Sequence, residues 1–345
     1  MTIVNRRREP GYAGLPTFCK SELALTAAEL AGVDVAILGA PFDEGVSNRP
    51  GARFGPRAIR ASDNYSAAPP SRPHPQLGVD PFKTLRVVDY GDAECVPGSL
   101  RRSHNAVRKH LNAILAAGAV PVVLGGDHSL AYVDITATAV HFAPQPIGVI
   151  QFDAHADTGA NVLDVAPHGT AMRRVIEEGT VCGANFIQFG LRGCWPGPDE
   201  FAWMKSVGMR WHPIDEIDEH GFDTALDTLL TEARGLPPHI LLSIDIDVLD
   251  PAYAPGTGTP EPGGLSPREL FRAIRLVCKE LDIVTIELVE VSPPYDHSGI
   301  TALAAQRCII EALAGIALRR RGRNQTGSAG SARSNAHHGP EDRSR

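Results

Sequence analysis

Short apolar runs alternate with helix-patterned stretches along most of the chain. The runs Val33–Leu38, Leu85–Val88, Val120–Leu124, Ile147–Phe152, Phe186–Phe189, Ile240–Ile246 and Ile283–Leu288 are almost continuously hydrophobic. Continuous rather than alternating hydrophobicity predicts strands buried on both faces. Between them, Ser99–Ala117 predicts a helix with Ser99 as its cap and Val107, Leu111 and Ile114 on one face. Ser266–Lys279 opens with Ser266, Pro267 and Glu269, residues suited to a helix start, and Thr301–Leu318 is the last helical stretch. Such alternation predicts a parallel sheet sandwiched between helices.

A length of 345 residues admits one large α/β domain or two smaller ones. No repeat and no linker divides the chain, and the Pro-rich stretch Ala67–Phe82 reads as a long surface loop. One domain over residues 12–318 is therefore expected. From Arg319 the composition shifts to Arg, Gly, Ser, Asn and His, so 319–345 is expected to be a disordered, solvated tail. A net charge of −7 gives no broad pull toward nucleic acid or an anionic membrane. Apolar runs such as Val33–Leu38 fall short of the about 20 residues a bilayer requires. No apolar stretch follows Arg6–Arg8, so no secretory signal is expected. Cysteines 19, 95, 182, 194, 278 and 308 show no CxxC spacing and read as reduced, mostly buried thiols, consistent with a cytoplasmic protein.

Candidate chemistry lies just beyond three of the runs. Val120–Leu124 leads into Gly125-Gly126-Asp127-His128-Ser129, Ile147–Phe152 into Asp153-Ala154-His155-Ala156-Asp157, and Ile240–Ile244 into Asp245-Ile246-Asp247. Ligand sites of open parallel sheets gather at the carboxyl ends of strands. Residues two apart in extended chain project to one side, roughly 6.6 Å apart. Asp153, His155 and Asp157 can thus aim at one volume, and Asp245 and Asp247 can join them from another strand. A single Asp after a strand is usually a cap, and a single His is usually core or surface. Three strand ends with His and Asp together need another explanation, and divalent metal relieves the repulsion. Oxygen donors outnumber nitrogen and no Cys takes part, which suits Mn2+, with Co2+, Ni2+, Fe2+ or Zn2+ as substitutes.

These segments resemble the signatures of the ureohydrolase (arginase/agmatinase) family: Gly-Gly-Asp-His-Ser at 125–129, Asp-Ala-His-Ala-Asp at 153–157, and Ser-Ile-Asp-Ile-Asp-Val-Leu-Asp-Pro at 243–251. Further matches are Pro-Phe-Asp-Glu-Gly at 41–45, Arg-Pro-Gly-Ala-Arg-Phe-Gly-Pro at 49–56, Ala-Pro-Gly-Thr-Gly-Thr-Pro at 254–260, and Glu290-Val291-Ser292-Pro293. The resemblance covers residues 12–318 and implies a three-layer α/β/α fold with a parallel, mainly eight-stranded sheet. It implies two Mn2+ ions, one held by His128, Asp153, Asp157 and Asp245, the other by Asp153, His155, Asp245 and Asp247. It further implies hydrolysis of a guanidino compound to urea and an amine. Glu290 would pair with the guanidinium and His168 would shuttle a proton to the departing amine. A homotrimer or homohexamer is implied as well.

The substrate's other end is less directly written. Arginases carry an Asn two residues after the last Asp of the second signature, where this chain has Gly159. That departure argues against L-arginine, and Pro293–Thr301 resembles the agmatinase branch. The 158–167 loop contains Asp164 and no Lys or Arg, which favours the cation agmatine and hence putrescine as product. Arg49 and Arg53 could instead serve a carboxylate. Guanidinobutyrase, guanidinopropionase and proclavaminate amidinohydrolase activities therefore stay open, as does a catalytically silent, metal-binding regulatory homologue.

Overall fold

The computed structural model describes residues 13–62, 73–160 and 166–334, with side chains up to 322. Nine strands form one sheet: β1 (Glu22–Leu23), β2 (Val35–Gly39), β3 (Val87–Asp92), β4 (Val120–Leu124), β5 (Ile147–Phe152), β6 (Phe186–Phe189), β7 (Arg210–His212), β8 (His239–Asp245) and β9 (Ile283–Val289). Their spatial order is β1-β3-β2-β4-β9-β8-β5-β6-β7, and every pairing is parallel. The seven expected strands are all present. The two added strands, β1 and β7, are short and lie at the sheet's edges, where pairing on one side needs no long apolar run.

Successive residues of each central strand feed opposite faces, as the period of two requires. Val35 and Ile37 of β2, Val122 and Leu124 of β4, and Ile240, Leu242 and Ile244 of β8 enter one core with helices Phe222–Ala233, Pro267–Glu280 and the C-terminal helix. Ala36, Leu38 and Val123 pack on the other side against Leu100–Ala116 and Ala131–Phe142. Both faces are thus buried, which gives the three-layer α/β/α arrangement expected.

Local signals act as read in one helix and differ in another. Ser266 caps Pro267–Glu280 through a reciprocal box with Glu269, whose carboxylate accepts from the Ser266 N–H at 2.8 Å. Ser99 stands at the start of Leu100–Ala116, but its side chain makes no capping hydrogen bond. Its carbonyl accepts from the Ser103 N–H instead. The expected tail boundary also shifts, because the last helix runs Ile300–Ser334. Arg319 donates to the Glu280 carbonyl, Arg320 pairs with Asp34, and Arg321 reaches the Gly78 carbonyl, so order continues past Leu318. Residues 335–345 lie outside the described residues. The segment Ile300–Gly322 is long and apolar enough to cross a membrane, contrary to the short apolar runs read from sequence. It is 72% buried inside the fold, as a core helix is. All six cysteines are free; Cys19, Cys278 and Cys308 are buried, while Cys182 and Cys194 are exposed.

Candidate active site

β4, β9, β8 and β5 are consecutive neighbours at the middle of the sheet. Their carboxyl ends deliver His128, Glu290, the Asp245–Asp247 pair and the Asp153–Asp157 segment to one place. Two of the deeply buried strand-end aspartates also cap the turns that follow. Asp127 accepts from the Ser129 N–H at 2.9 Å, and Asp245 accepts from the Asp247 N–H at 2.9 Å through Oδ1. With Oδ1 anchored, Asp245 directs Oδ2 to within 3.2 Å of His128 Nδ1. Asp247 is fixed through Oδ1 by the Ala154 N–H and points Oδ2 to 3.1 Å from His155 Nδ1. Asp157 and Glu290 both hold left-handed backbone, with φ of 52° and 64°. That costs on the order of 1–3 kcal/mol per residue and marks positions fixed by their surroundings.

His128 defines the centre. Its Nε2 lies 2.9 Å from Ser243 Oγ, while Nδ1 has Asp157 Oδ2 at 2.8 Å, Asp153 Oδ2 at 3.1 Å and Asp245 Oδ2 at 3.2 Å. Despite that crowding, His128 Nδ1 and Asp157 Oδ2 are buried without a hydrogen-bond partner. Such spacing is what donors around a shared cation show, since ligands roughly 2.1 Å from an ion sit about 3 Å from one another in octahedral geometry. Two overlapping groups can each hold a metal ion: His128 with Asp153 and Asp245, and Asp153 with His155 and Asp247. Asp157 adjoins the first group through His128. The four carboxylates Asp153, Asp157, Asp245 and Asp247 match the charge of two divalent ions, so the donor set fits a binuclear centre.

The titration behaviour supports that fit. Burial opposes a charged His128, yet Asp157, Asp153 and Asp245 outweigh it and hold its pKa well above the usual value. Burial likewise opposes charge on His155, but Asp247 and Asp153 push it up to about 12. Asp245 is raised well above the carboxylate range by burial and by Asp247 and Asp153. Protein groups alone therefore balance this cluster with protons, which metal ions would displace.

Beside the cluster, His168 Nδ1 lies 2.8 Å from Glu290 Oε1, and Nε2 lies 2.8 Å from Ser47 Oγ. In the neutral ring Nε2 accepts from the Ser47 N–H at 3.2 Å and Nδ1 carries the proton toward Glu290. Burial opposes charge on His168, but Glu290, Asp157 and Asp127 raise its pKa to about 9. Glu290 Oε1 additionally accepts from the His128 N–H at 2.8 Å, whereas the buried Oε2 has no partner. Gly258 keeps bare backbone beside that oxygen, since a Cβ there would come 3.4 Å from it. A cavity of about 360 Å³ opens above, lined by Ser47, His155, Asp157, His168, Trp195 and Thr259 among others.

All eight residues singled out from sequence thus meet in one site. Several contributors were missed. Gln151 Nε2 donates to Asp153 Oδ2 at 2.6 Å, Ser243 holds His128, Ser47 holds His168, and Thr259 Oγ1 donates to Asp247 Oδ2 at 3.3 Å. Gln151 and Ser243 had a visible signal: each is a polar residue inside an apolar strand, two positions before a site aspartate. Asp164, which weighed toward a cationic substrate, lies outside the described residues. Arg53 is committed to Asp43 and Glu44, whereas Arg49 is exposed and stacks over the Tyr295 ring at 5.3 Å.

A cluster of this kind, at the carboxyl ends of central parallel strands with an acid–imidazole pair beside it, defines the class of α/β metal-centre hydrolases. Residues 33–315 match the model of the arginase family, and the chain belongs to that family as a guanidino hydrolase. It is 41% identical over 296 residues to a mitochondrial agmatinase of Gallus gallus, covering 84% of this chain and 82% of the relative. It is 40% identical over 286 residues to a mitochondrial guanidino acid hydrolase of Homo sapiens, covering 83% and 79%. The solved proclavaminate amidinohydrolase of Streptomyces clavuligerus superposes with a TM-score of 0.82 at 36% identity, covering 90% of this chain and 100% of that one.

Proposed function

We propose that this chain hydrolyses agmatine to putrescine and urea with two Mn2+ ions. His128, Asp153, Asp157 and Asp245 would hold one ion, and Asp153, His155, Asp245 and Asp247 the other. The observation that carries the guanidino chemistry is the buried, unpartnered Glu290 Oε2 beside the carboxylate cluster. A planar guanidinium supplies the paired donors that such a carboxylate lacks. The metal pair those residues would hold would supply activation of water for attack at neutral pH. Glu290 orients the guanidinium carbon over the cluster. His168, whose charged form Glu290 favours, would give a proton to the nitrogen that departs as the amine.

Agmatine is favoured because no Lys or Arg lines the cavity among the described residues. A second reading, a guanidino acid, rests on Arg49, which is exposed two residues beyond the lining residue Ser47. The relatives named for guanidino acids and proclavaminate speak for the same reading. Measuring urea release with Mn2+ and agmatine, 4-guanidinobutyrate, 3-guanidinopropionate and L-arginine decides between them. Agmatine should give the highest kcat/KM; a preference for either acid overturns that choice, and no urea from any compound favours a silent regulatory homologue. A homotrimer or homohexamer, expected from family resemblance, and a cytoplasmic location, expected from the sequence, belong to the same proposal, and light scattering with cell fractionation tests them.

A further inference from the structure

One side chain of the cavity wall has a placement the chemistry above does not use. Trp195 lies in the loop after β6, half-buried, with its indole centroid 6.0 Å from the His155 ring. The Gly159 N–H donates to the Gly169 carbonyl at 2.9 Å, which ties the segment after β5 to the turn carrying His168. The indole rests on this glycine pair. A Cβ at Gly159 would come 3.2 Å from Trp195 Cζ2, and a Cβ at Gly169 would come 3.4 Å from Cη2. The former contact is tighter than ordinary packing, and an added Cβ at Gly159 would also lie 2.9 Å from the Gly169 carbonyl oxygen. Bare backbone at 159 is therefore what admits the ring. The acids that share the cavity, Asp157 and Asp245, belong to the carboxylate cluster.

We infer that Trp195, seated on Gly159 and Gly169, is the specificity-determining wall for the far end of the substrate, selecting an alkyl chain that ends in a cation. This rests on the proposed agmatine reading of the same site. With one edge against glycine backbone, the indole lines the cavity as an aromatic wall. The face of such a ring attracts an ammonium, accepts methylenes, and disfavours a carboxylate.

Three guanidines of matched length test it: agmatine, n-butylguanidine and 4-guanidinobutyrate, assayed by urea release on the Mn2+-loaded protein and its Trp195→Phe and Trp195→Leu variants. Trp195→Leu should lower the agmatine-to-butylguanidine ratio of kcat/KM about tenfold, mainly through KM, while Trp195→Phe keeps it within about threefold. Unchanged metal content and circular dichroism establish that the variants fold. Gly159→Ala, by crowding the ring, should shift the ratio in the same direction as Trp195→Leu. An unchanged ratio in folded Trp195→Leu, or an equal loss for both compounds, overturns the inference and leaves the ring a neutral wall. Preference of the unaltered protein for 4-guanidinobutyrate would sink the agmatine reading separately. The change in the cation-to-neutral ratio still decides the role of Trp195.

Discussion

Ser243→Ala is the most incisive perturbation of the proposed metal centre, because it replaces no proposed ligand. In the native protein His128 Nε2 and Ser243 Oγ are 2.9 Å apart, and the next acceptor is Glu287 Oε1 at 3.7 Å. When a metal displaces the Nδ1 proton, the serine would keep the remaining proton on Nε2 and so present Nδ1 to the ion. Removing the hydroxyl leaves a fully buried N–H without a good partner, a cost of about 1–3 kcal/mol. Without that acceptor, the neutral imidazole would more readily keep its proton on Nδ1, aimed at Asp157 Oδ2 2.8 Å away. A metal must reverse that tautomer before binding. Loss of such an outer partner typically weakens metal affinity about 10- to 100-fold, or about 1.4–3 kcal/mol. Titration of metal-stripped protein with Mn2+ by calorimetry should show that loss, while kcat at saturating metal stays near the native value. Native affinity within about twofold, together with a lowered melting temperature, would reduce Ser243 to a packing residue and refute the reasoning.

Metal loading should release protons, since His128, His155 and Asp245 all hold theirs above the usual range. Calorimetry near pH 7.5 in buffers of different ionisation enthalpy should show it, and heats independent of the buffer would contradict the charge balance described. His168→Ala should keep bound metal yet slow kcat about 100-fold or more, checked by metal analysis alongside urea release; loss of metal would move His168 into the ligand set. His104, whose pKa burial lowers to about 4 with help from Arg174 and Arg108, should sensitise the fold to acid. Its depressed value means the contribution is complete above about pH 6.5 and disappears as pH falls toward 4, on the order of 3 kcal/mol in all. Chemical denaturation of His104→Gln should show a shallower loss over that window, and identical slopes would count against it.

The sequence conveyed the donors better than their meeting. His128, Asp153, His155, Asp157, Asp245 and Asp247 were legible because His and Asp recur at fixed spacing just beyond apolar runs, a local pattern. That β4 and β5 are separated by β9 and β8 was not legible, because strand order depends on how helices pack across the sheet. β7 escaped notice because Arg210–His212 is short and partly polar, and an edge strand needs little else. The signature stretches, quoted as matches without roles, gained physical ones. The 41–45 stretch ends at Gly45, whose N–H donates to Asp127 Oδ2 at 2.7 Å and whose carbonyl accepts from the His168 N–H at 2.9 Å. The 254–260 stretch supplies Gly258 beside Glu290 and Thr259 against Asp247.

The polar residues within the strands carry a more general lesson about reading such sites. Gln151, Gln188, Ser243 and Glu287 are fully buried in β5, β6, β8 and β9. A buried polar group without a partner is costly, so each needs a reason to be there. Gln188 donates to Gln151 Oε1 at 2.6 Å, and Gln151 in turn donates to Asp153, a relay that orients a carboxylate proposed to bridge both ions. Glu287 has no donor for either oxygen but lies against Asp134, whose own oxygens are equally unpartnered. Burial and Glu287 together raise the Asp134 pKa well above the carboxylate range. Interruptions of an apolar strand one turn of the pleat before a candidate ligand therefore point to the groups that orient it. Their identities were visible all along, but their purpose depended on which strand lay beside them.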